Sequence, residues 1–257
     1  ISTTGWLQLQ AVCWLRCCPL WGRCHAVHAP DDKPDCMRSM NETVVLVHGL
    51  WMKGLELLPL AWSLKRAGYE VRFFRYVTRH PLAPSAARLR EHLGEPGPAP
   101  VHLLAHSLGG LLLCHLAAQG GLPENGRVLM LGTPLAPSHA ARVFGRRRLG
   151  RWMLGPHTLK TLLGERPPWP ANRPLGVIAG ERGIGMGTLV ARSLPRPHDG
   201  SVCVAETQTR EVTQHLVVPH SHFGMLWARD VRRQVLHYLR TGNFKPFNSS
   251  ACSSSAR

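Results

Sequence analysis

The sequence predicts an α/β fold with a mostly parallel central sheet flanked by helices. Several short apolar runs lack polar alternation, which is typical of parallel strands buried on both faces. Amphipathic segments with a helical period separate these runs, as this class of fold requires. One run, residues 101–106, ends abruptly at a serine between small residues, which indicates a tight turn from strand to helix.

The predicted elements follow one another from residue 43. The predicted strands are residues 43–48, 69–76, 101–106, 127–131, 175–179 and 216–219. The predicted helices are residues 55–67, 85–93, 108–119 and 225–239. Gly68 ends the first helix, and a Pro- and Gly-rich connection at residues 94–100 precedes the third strand. At 257 residues and 44% hydrophobic, the chain can bury one core, so we expect a single domain over residues 41–244.

Three segments depart from this alternation. Residues 135–174 form a basic insertion with Trp and Pro, which we expect to be a small cap or lid over the carboxyl edge of the sheet. A packed helical pair without a role in substrate choice is the alternative. Residues 1–40 carry five of the eight cysteines and no trusted periodicity, so we expect a disordered or non-native extension ahead of Met37 or Met40. A degraded signal or anchor, or a metal site, are its alternatives. Residues 245–257 are expected to be a flexible Ser-rich tail.

Ser107 is the candidate nucleophile. It stands in Ala105-His-Ser-Leu-Gly109, directly after an apolar strand and directly before a helix. In such a turn the backbones of strand and helix nearly touch, so small side chains are needed two positions either side of the serine. Ala105 and Gly109 meet that need, although the usual pattern has glycine where Ala105 stands. A single methyl group is about the largest substituent that the position could hold.

Two backbone N–H groups are the candidate oxyanion hole. The run Thr43-Val-Val-Leu-Val-His-Gly-Leu-Trp51 closes on His48-Gly49, which suits a buried strand that feeds a loop. An oxyanion hole needs two donors aimed at the oxygen that becomes negative, each worth roughly 3–4 kcal/mol of barrier. We expect Leu108, after the nucleophile, and Leu50 to supply them. A plain turn after a core strand is the alternative interpretation of His48-Gly49.

Asp199 is the candidate acid, because carboxylates are scarce in the second half of the chain. Five lie between Pro134 and the last histidines, and they are Glu165, Glu181, Asp199, Glu206 and Glu211. Asp199 lies in the polar turn Pro197-His-Asp-Gly-Ser-Val202, which follows an apolar run and can therefore occupy a loop at the carboxyl edge of the sheet. An Asp-Gly turn that satisfies its own backbone is the alternative.

Two histidines, His220 and His222, follow the last apolar run, and one of them is the candidate base. His222 is favoured because it is nearer to the helix that is expected to begin near Met225, and His220 stays open as the alternative base. A His-x-His pair can also bind a metal. No matching cluster of ligands is near in sequence, so no metal is expected. His106 and His198 are expected to be mainly structural.

With these residues the chain resembles the α/β-hydrolase superfamily, and within it the bacterial lipase-like and PGAP1-like serine hydrolases. The resemblance runs from about residue 43 to 244 and includes Leu131-Gly-Thr-Pro134 and Ser221-His-Phe-Gly-Met225. It implies an α/β-hydrolase fold, a triad of Ser107, Asp199 and His222, and no cofactor. The function expected is cleavage of small-molecule or lipid carboxylic esters. An acyltransferase or thioesterase on the same triad, or a non-catalytic binding scaffold, are the alternatives.

Trp51, His106 and Trp152 are the candidates for lining the substrate pocket, since the cap is expected to build that pocket from aromatic and aliphatic side chains.

The net charge of +16 does not lead us to predict a nucleic-acid partner. Of the 31 basic residues, 26 are arginines that are spread along the chain, and no nucleic-acid-binding motif is visible. The one dense cluster, residues 142–151, is interpreted as a solvated helix face, with a weak contact to an anionic membrane surface as the alternative. The low cysteine count outside residues 1–40 favours a reducing compartment. Together with the resemblance to bacterial hydrolases, it leads us to expect a cytoplasmic protein of a bacterial cell, with a secreted or membrane-associated protein as the alternative. The sequence does not indicate an oligomeric state.

Overall fold

A computed structural model of the chain describes residues 42–185 and 194–246. The predicted extension at residues 1–40, and nearly all of the predicted tail at residues 245–257, lie outside these residues. The sheet has strands β1 Thr43–Val47, β2 Glu70–Phe74, β3 Val101–His106, β4 Val128–Leu131, β5 Leu175–Gly180 and β6 Gln214–Val218. Their order is β2-β1-β3-β4-β5-β6, and every neighbouring pair is parallel. The predicted α/β fold is therefore confirmed, with a sheet that is wholly parallel among the described residues.

Helices connect the strands. They are α1 Leu58–Arg66, α2 Leu82–Leu93, α3 Leu108–Ala118, α4 His139–Gly145, α5 Arg148–Leu154, α6 Pro156–Leu162, α7 Val204–Thr207, α8 Gly224–Trp227 and α9 Arg229–Thr241. A short 3₁₀ turn, Leu55–Leu57, leads into α1. Within the described part of the chain, no helix is both long and apolar enough to cross a bilayer.

The core lies on both faces of the sheet. Helices α2 and α3 pack on one face, against side chains such as Val45 and Leu103. Helices α1, α8 and α9 pack on the other face, against side chains such as Leu46 and Leu104. Strand β1 is buried along its whole length, because alternate residues enter these two cores. This burial explains why its sequence is an unbroken apolar run.

Two helices differ from their predicted bounds. Helix α2 begins at Leu82, three residues before the predicted start, because Pro84 falls in the first helical turn, where a missing N–H removes no hydrogen bond. The predicted final helix is two helices, since Ala228 is extended (φ −70°, ψ 134°) and separates α8 from α9. The side chain of Arg232 donates to the carbonyl of Trp227, which the break leaves without a helical partner.

The predicted insertion contains the three short helices α4, α5 and α6, followed by irregular chain that returns to β5. Ser138 begins α4, and its hydroxyl accepts a hydrogen bond from Ala141 N. Trp169, in the irregular part, is buried and donates from Nε1 to the carbonyl of Arg173 at 2.8 Å. The insertion therefore has a packed structure of its own, with one helix more than the helical pair considered as an alternative.

The strand order also places the functional edge. The chain runs from β1 outward to β2 and then returns to β3 on the other side of β1, so the order of strands reverses between β1 and β3. In open parallel sheets the crevice at such a reversal, beyond the carboxyl ends of the strands, is where ligands bind. The loop after β1 carries Leu50, and the turn after β3 is Ser107.

Candidate active site

Ser107 lies in a strained turn between β3 and α3. Its φ is 52° and its ψ is −121°, a combination that side-chain-bearing residues rarely adopt and that costs on the order of 1–3 kcal/mol. Hydrogen bonds hold the turn: Ser107 N donates to Leu131 O (2.8 Å), and Ser107 O accepts from Thr133 Oγ1 (2.9 Å) and Gly110 N (3.0 Å). Hydrogen bonds from β4 and from the loop that follows it therefore hold the backbone of Ser107 in this conformation.

Small residues on either side of Ser107 allow this turn to form. A Cβ atom on Gly109 would lie 2.7 Å from both His48 O and Val47 O, so α3 approaches the end of β1 at backbone distance. Ala105 is fully buried and pairs in register with Val47. The requirement for small side chains two positions either side of Ser107 is therefore steric.

We expect Gly109→Ala to lower the free energy of unfolding by about 1–3 kcal/mol, the usual range for overpacking. The added methyl meets two backbone carbonyls, which cannot move aside as a flexible side chain could. Urea denaturation of the purified chain measures the effect. Gly97→Ala is the matched control, because nothing lies within 4 Å of a Cβ at Gly97. Equal stability of Gly109→Ala and the unchanged chain would contradict the close approach.

Asp199 and His222 form a buried hydrogen-bonded pair. His222 Nδ1 donates to Asp199 Oδ2 at 2.6 Å, and the two residues are 5% and 1% exposed. The other carboxylate oxygen, Oδ1, accepts from Ser201 N (2.8 Å) and Val202 N (2.7 Å). A backbone bond from His222 N to Asp199 O (2.8 Å) ties the two loops together. Because Nδ1 is engaged, Nε2 is the nitrogen left to act on a serine hydroxyl.

His220 has a different carboxylate partner. Its Nε2 lies 2.9 and 2.8 Å from the two carboxylate oxygens of Asp230, at the start of α9. The sequence left both histidines open as bases, and the structure gives each its own acid. Only His222 faces Asp199, so the structure brings His222, and not His220, together with the predicted acid.

Gly132 connects the His–Asp pair with the serine turn. A Cβ atom on Gly132 would lie 3.0 Å from His222 Nδ1 and 3.2 Å from Asp199 Oδ2. The preceding residue, Leu131, accepts the backbone hydrogen bond of Ser107. Ser107, Asp199 and His222 therefore surround one short segment at the end of β4. The Ser107 hydroxyl makes no hydrogen bond to a described residue.

His48 orients the loop that carries Leu50. Its Nε2 accepts from Tyr76 N (3.2 Å), which leaves Nδ1 as the donor to Gly49 O (2.9 Å). In a trans peptide the carbonyl and the following N–H point in opposite directions, so this bond also fixes the direction of the Leu50 N–H. His48 is buried and stacked on the Tyr76 ring, with centroids 4.6 Å apart.

Leu108, the other predicted donor, is the first residue of α3. Its N–H has no carbonyl partner within the helix, as is general for the first turn of a helix. The positive end of the helix dipole lies at the same place and favours a developing negative charge. Gly49 brings the two loops together, because a Cβ atom there would lie 3.2 Å from Ser107 Cβ.

His106 lies behind His222. The two ring centroids are 4.7 Å apart, and His106 Nε2 donates to His222 O at 3.3 Å. His106, which we predicted as a pocket residue, is 1% exposed, and its ring packs against His222 and Phe223. Burial, together with the neighbouring His222, holds the pKa of His106 well below its ordinary value. A neutral ring there adds no positive charge behind His222.

Trp51 and Trp152 lie at the junction of the Leu50 loop and the insertion. Trp51 is 43% exposed, and its Nε1 donates to Met153 O in α5 at 3.3 Å. Trp152 is 65% exposed, and the Arg79 guanidinium lies 5.2 Å from its ring centroid. Both tryptophans are thus exposed near the contact between the Leu50 loop and α5, and their role in a pocket stays a prediction.

Sequence reasoning missed the supporting residues. His48, Thr133 and Tyr76 have no spacing signal, since their roles depend on contacts between distant segments. The sequence did carry one sign of the close contact between Gly132 and the His–Asp pair. In Leu131-Gly-Thr-Pro134 a glycine follows directly after a buried strand. Its φ of 57° and its contact with the imidazole explain why glycine stands there.

Buried histidines predict how stability depends on pH. Burial lowers the pKa of His48, His106, His115 and His215. Below about pH 6.5 the unfolded chain therefore binds more protons than the folded chain. Stability is then full above about pH 6.5 and falls as the pH drops below it. Burial also raises the pKa of Glu206. This shift changes stability in the opposite direction, but it comes from a single group.

We expect the free energy of unfolding to be about 1–3 kcal/mol lower near pH 5.5 than near pH 7.5. Urea denaturation at the two pH values measures the difference. His115→Gln is expected to reduce the difference, because His115 Nε2 is buried without a partner. His92→Gln, at an exposed position, is the matched control. A stability that rises on acidification would contradict the assignment of these histidines as neutral.

Residues 44–241 match the sequence profile of a family described as "Alpha/beta hydrolase family". No curated protein matches the sequence significantly.

Solved structures with the same fold include three hydrolases. The mature lipase BlEst2 of Bacillus licheniformis superposes with a TM-score of 0.58 at 17% identity, over 82% of this chain and 95% of that chain. A thioesterase domain, NocB, in covalent complex with a fluorophosphonate nocardicin G analog gives 0.52 at 17% identity, over 79% and 96%. A metagenomic carboxyl esterase gives 0.51 at 16% identity, over 71% and 65%. At these identities the likeness is one of fold.

Proposed function

Because the chain belongs to the alpha/beta hydrolase family, we propose that it is a serine hydrolase that cleaves carboxylic esters through Ser107, His222 and Asp199. The observation that carries the proposal is the buried Asp199–His222 hydrogen bond, packed on Gly132 next to the strained Ser107 turn. A strained serine and a carboxylate-oriented imidazole at one sheet edge are the parts that acyl transfer needs.

In the first half of the reaction, Ser107 Oγ attacks the ester carbonyl carbon while His222 Nε2 takes the hydroxyl proton. The carbonyl oxygen becomes an oxyanion, and the N–H groups of Leu50 and Leu108 stabilise it. The imidazolium then gives its proton to the leaving alcohol as the carbon–oxygen bond breaks. Asp199 keeps the proton on Nδ1 and stabilises the charged ring.

In the second half, water replaces the alcohol. His222 takes a proton from water, whose oxygen attacks the acyl carbon, and the ring returns that proton to Ser107 as the acid leaves. The neutral His106 ring behind His222 favours this cycle, because a second positive charge there would disfavour the imidazolium. No cofactor takes part in these steps.

The substrate class proposed is a small-molecule or lipid ester. The printed names of the structural neighbours, lipase, carboxyl esterase and thioesterase, support acyl transfer in general. Trp51, next to Leu50, donates to Met153 O of α5, which supports a role for the insertion in binding the acyl chain.

Hydrolysis of a panel of p-nitrophenyl esters, from acetyl to palmitoyl, tests the activity, and a fluorophosphonate probe tests the nucleophile. The serine oxygen forms a bond to phosphorus and releases fluoride, so the labelled peptide gains the mass of the probe minus HF. We expect ester turnover and a label on Ser107 alone. A folded chain that hydrolyses no ester and takes no label on Ser107 would overturn the proposal.

A further inference from the structure

Two apolar side chains of α5 are exposed in a way that the fold does not require. Leu149 and Trp152 are each 65% exposed, whereas Gly150 and Leu154 of the same helix are buried. Residues three apart in a helix are neighbours on one face. Leu149 and Trp152 therefore form an exposed apolar strip on one face of α5, with the Arg79 guanidinium as a neighbour of the Trp152 ring among the described residues.

Exposed arginines adjoin this strip along the chain. Arg146, Arg147, Arg148 and Arg151 are all exposed, and we name the surface of residues 146–149, 151 and 152 the cap face. Between residues 139 and 160 the sequence has six basic residues, Arg or Lys, and no acidic residue. The cap face thus combines a local positive charge with exposed aromatic and aliphatic groups.

The cap face is attached to the candidate site. Trp51, next to Leu50, donates to Met153 O at the end of α5. Arg79 donates to Trp152 O at 2.8 Å, and Thr158 at the next helix donates to Thr78 O. The loops after β1 and β2 therefore hold α5 at the carboxyl edge of the sheet, which is also the edge of Ser107.

We propose that the cap face is a docking surface for an anionic phospholipid membrane. Each arginine near such a surface gains a favourable electrostatic contact with the anionic headgroups. The apolar stem of the arginine covers apolar area while its guanidinium group reaches a lipid phosphate. Leu149 and Trp152 enter the boundary between headgroups and acyl chains, as in interfacial helices rich in Arg, Trp and Leu. The inference deepens the proposed function, on which it rests, by placing the ester substrate in a lipid surface.

Nucleic acid would use the same arginines, but it fits the surface less well. A phosphate backbone needs only the charges and stacking groups, and it leaves Leu149 exposed to water. An acyl layer buries both Leu149 and Trp152. The observation that favours a membrane is therefore Leu149, an exposed aliphatic side chain that stands between exposed arginines along the chain.

Vesicle sedimentation tests the proposal with the full chain and with its Ser107→Ala variant, which cannot consume the lipid. The probes are vesicles of phosphatidylcholine alone and vesicles in which phosphatidylserine replaces part of it. We expect binding to the second kind only, weakened by salt. Arg147→Gln/Arg148→Gln is expected to reduce the partition roughly thirtyfold, and Leu149→Asn to reduce it as well.

The matched control is Arg88→Gln/Arg233→Gln, which removes the same charge from exposed positions outside the insertion. Equal loss in the two double variants, no effect of Leu149→Asn, or retention by single-stranded RNA with no binding to anionic vesicles would each overturn the proposal. Hydrolysis of soluble p-nitrophenyl acetate by Arg147→Gln/Arg148→Gln is expected to be unchanged. Vesicle binding needs no turnover, so failure of the ester reaction and failure of docking are separate results.

Discussion

Ser107→Ala is expected to lower kcat for p-nitrophenyl esters by roughly 10⁶-fold, the size of effect that removal of a triad serine produces. Without the hydroxyl no acyl-enzyme forms, and only the N–H groups of Leu50 and Leu108 remain to polarise the ester. The measurement is initial rates over a range of substrate concentrations. The KM is expected to change little, because the serine contributes to the transition state more than to binding.

The control variant is Ser201→Ala. Ser201 belongs to the loop of the acid, but it bonds Asp199 through its backbone N–H, which alanine keeps. We expect Ser201→Ala to retain activity. Alanine at Ser107 keeps the backbone bonds to Leu131 and Thr133, so circular dichroism is expected to show an unchanged fold. Full activity of Ser107→Ala would exclude Ser107 as the nucleophile.

Local signals predicted the fold because the strands are buried on both faces. Strand β3 was predicted with the bounds that the structure gives, since its apolar run is closed by the polar turn at Ser107. The edge strand β2 was predicted too long, at residues 69–76 rather than Glu70–Phe74, because its side chains alternate between exposed and half-buried up to the buried Phe74, and the pattern gives no sharp end. The helix break at Ala228 could not be predicted, because no helix-breaking residue stands there.

The candidate site was predictable where chemistry limits the choice of residue. Few carboxylates lie in the second half of the chain, so Asp199 was chosen among five, and the structure places it against His222. The choice between His220 and His222 could not be made from spacing, since both follow β6. It depends on Asp230, a residue of the final helix whose contact with His220 the sequence does not reveal.

The residues that position the candidate site could not be predicted from the sequence. His48 accepts a hydrogen bond from Tyr76 N, 28 positions away, and His106 packs on His222, 116 positions away. Burial is the main cause of the lowered pKa of both rings, and burial depends on the packed core, which the residues adjacent in sequence do not reveal. The sequence also does not reveal the direction of the His106 side chain, because a residue next to Ser107 can point either to the crevice or into the core.

Asp199→Asn is expected to lower kcat by roughly 10⁴-fold, the loss that follows when the base is held in the wrong tautomer. Oδ1 of Asp199 accepts two backbone bonds, from Ser201 N and Val202 N. In the variant the amide oxygen is required at that place, so the NH₂ group faces His222 Nδ1. Nδ1 must then accept, the proton moves to Nε2, and the ring can no longer take a proton from Ser107.

Asp230→Asn is the matched variant that decides between the two histidines. It makes the same change at the other His–Asp pair, where Asp230 holds His220. If His222 is the base, this variant keeps nearly all of its kcat, and a pH profile of kcat shows the loss of the basic group only in Asp199→Asn. If the larger loss follows from Asp230→Asn, then His220 is the base, and the hydrogen bond between Asp199 and His222 has only a structural role. The two variants carry the same charge change, so a difference between them reports which imidazole takes the proton from Ser107.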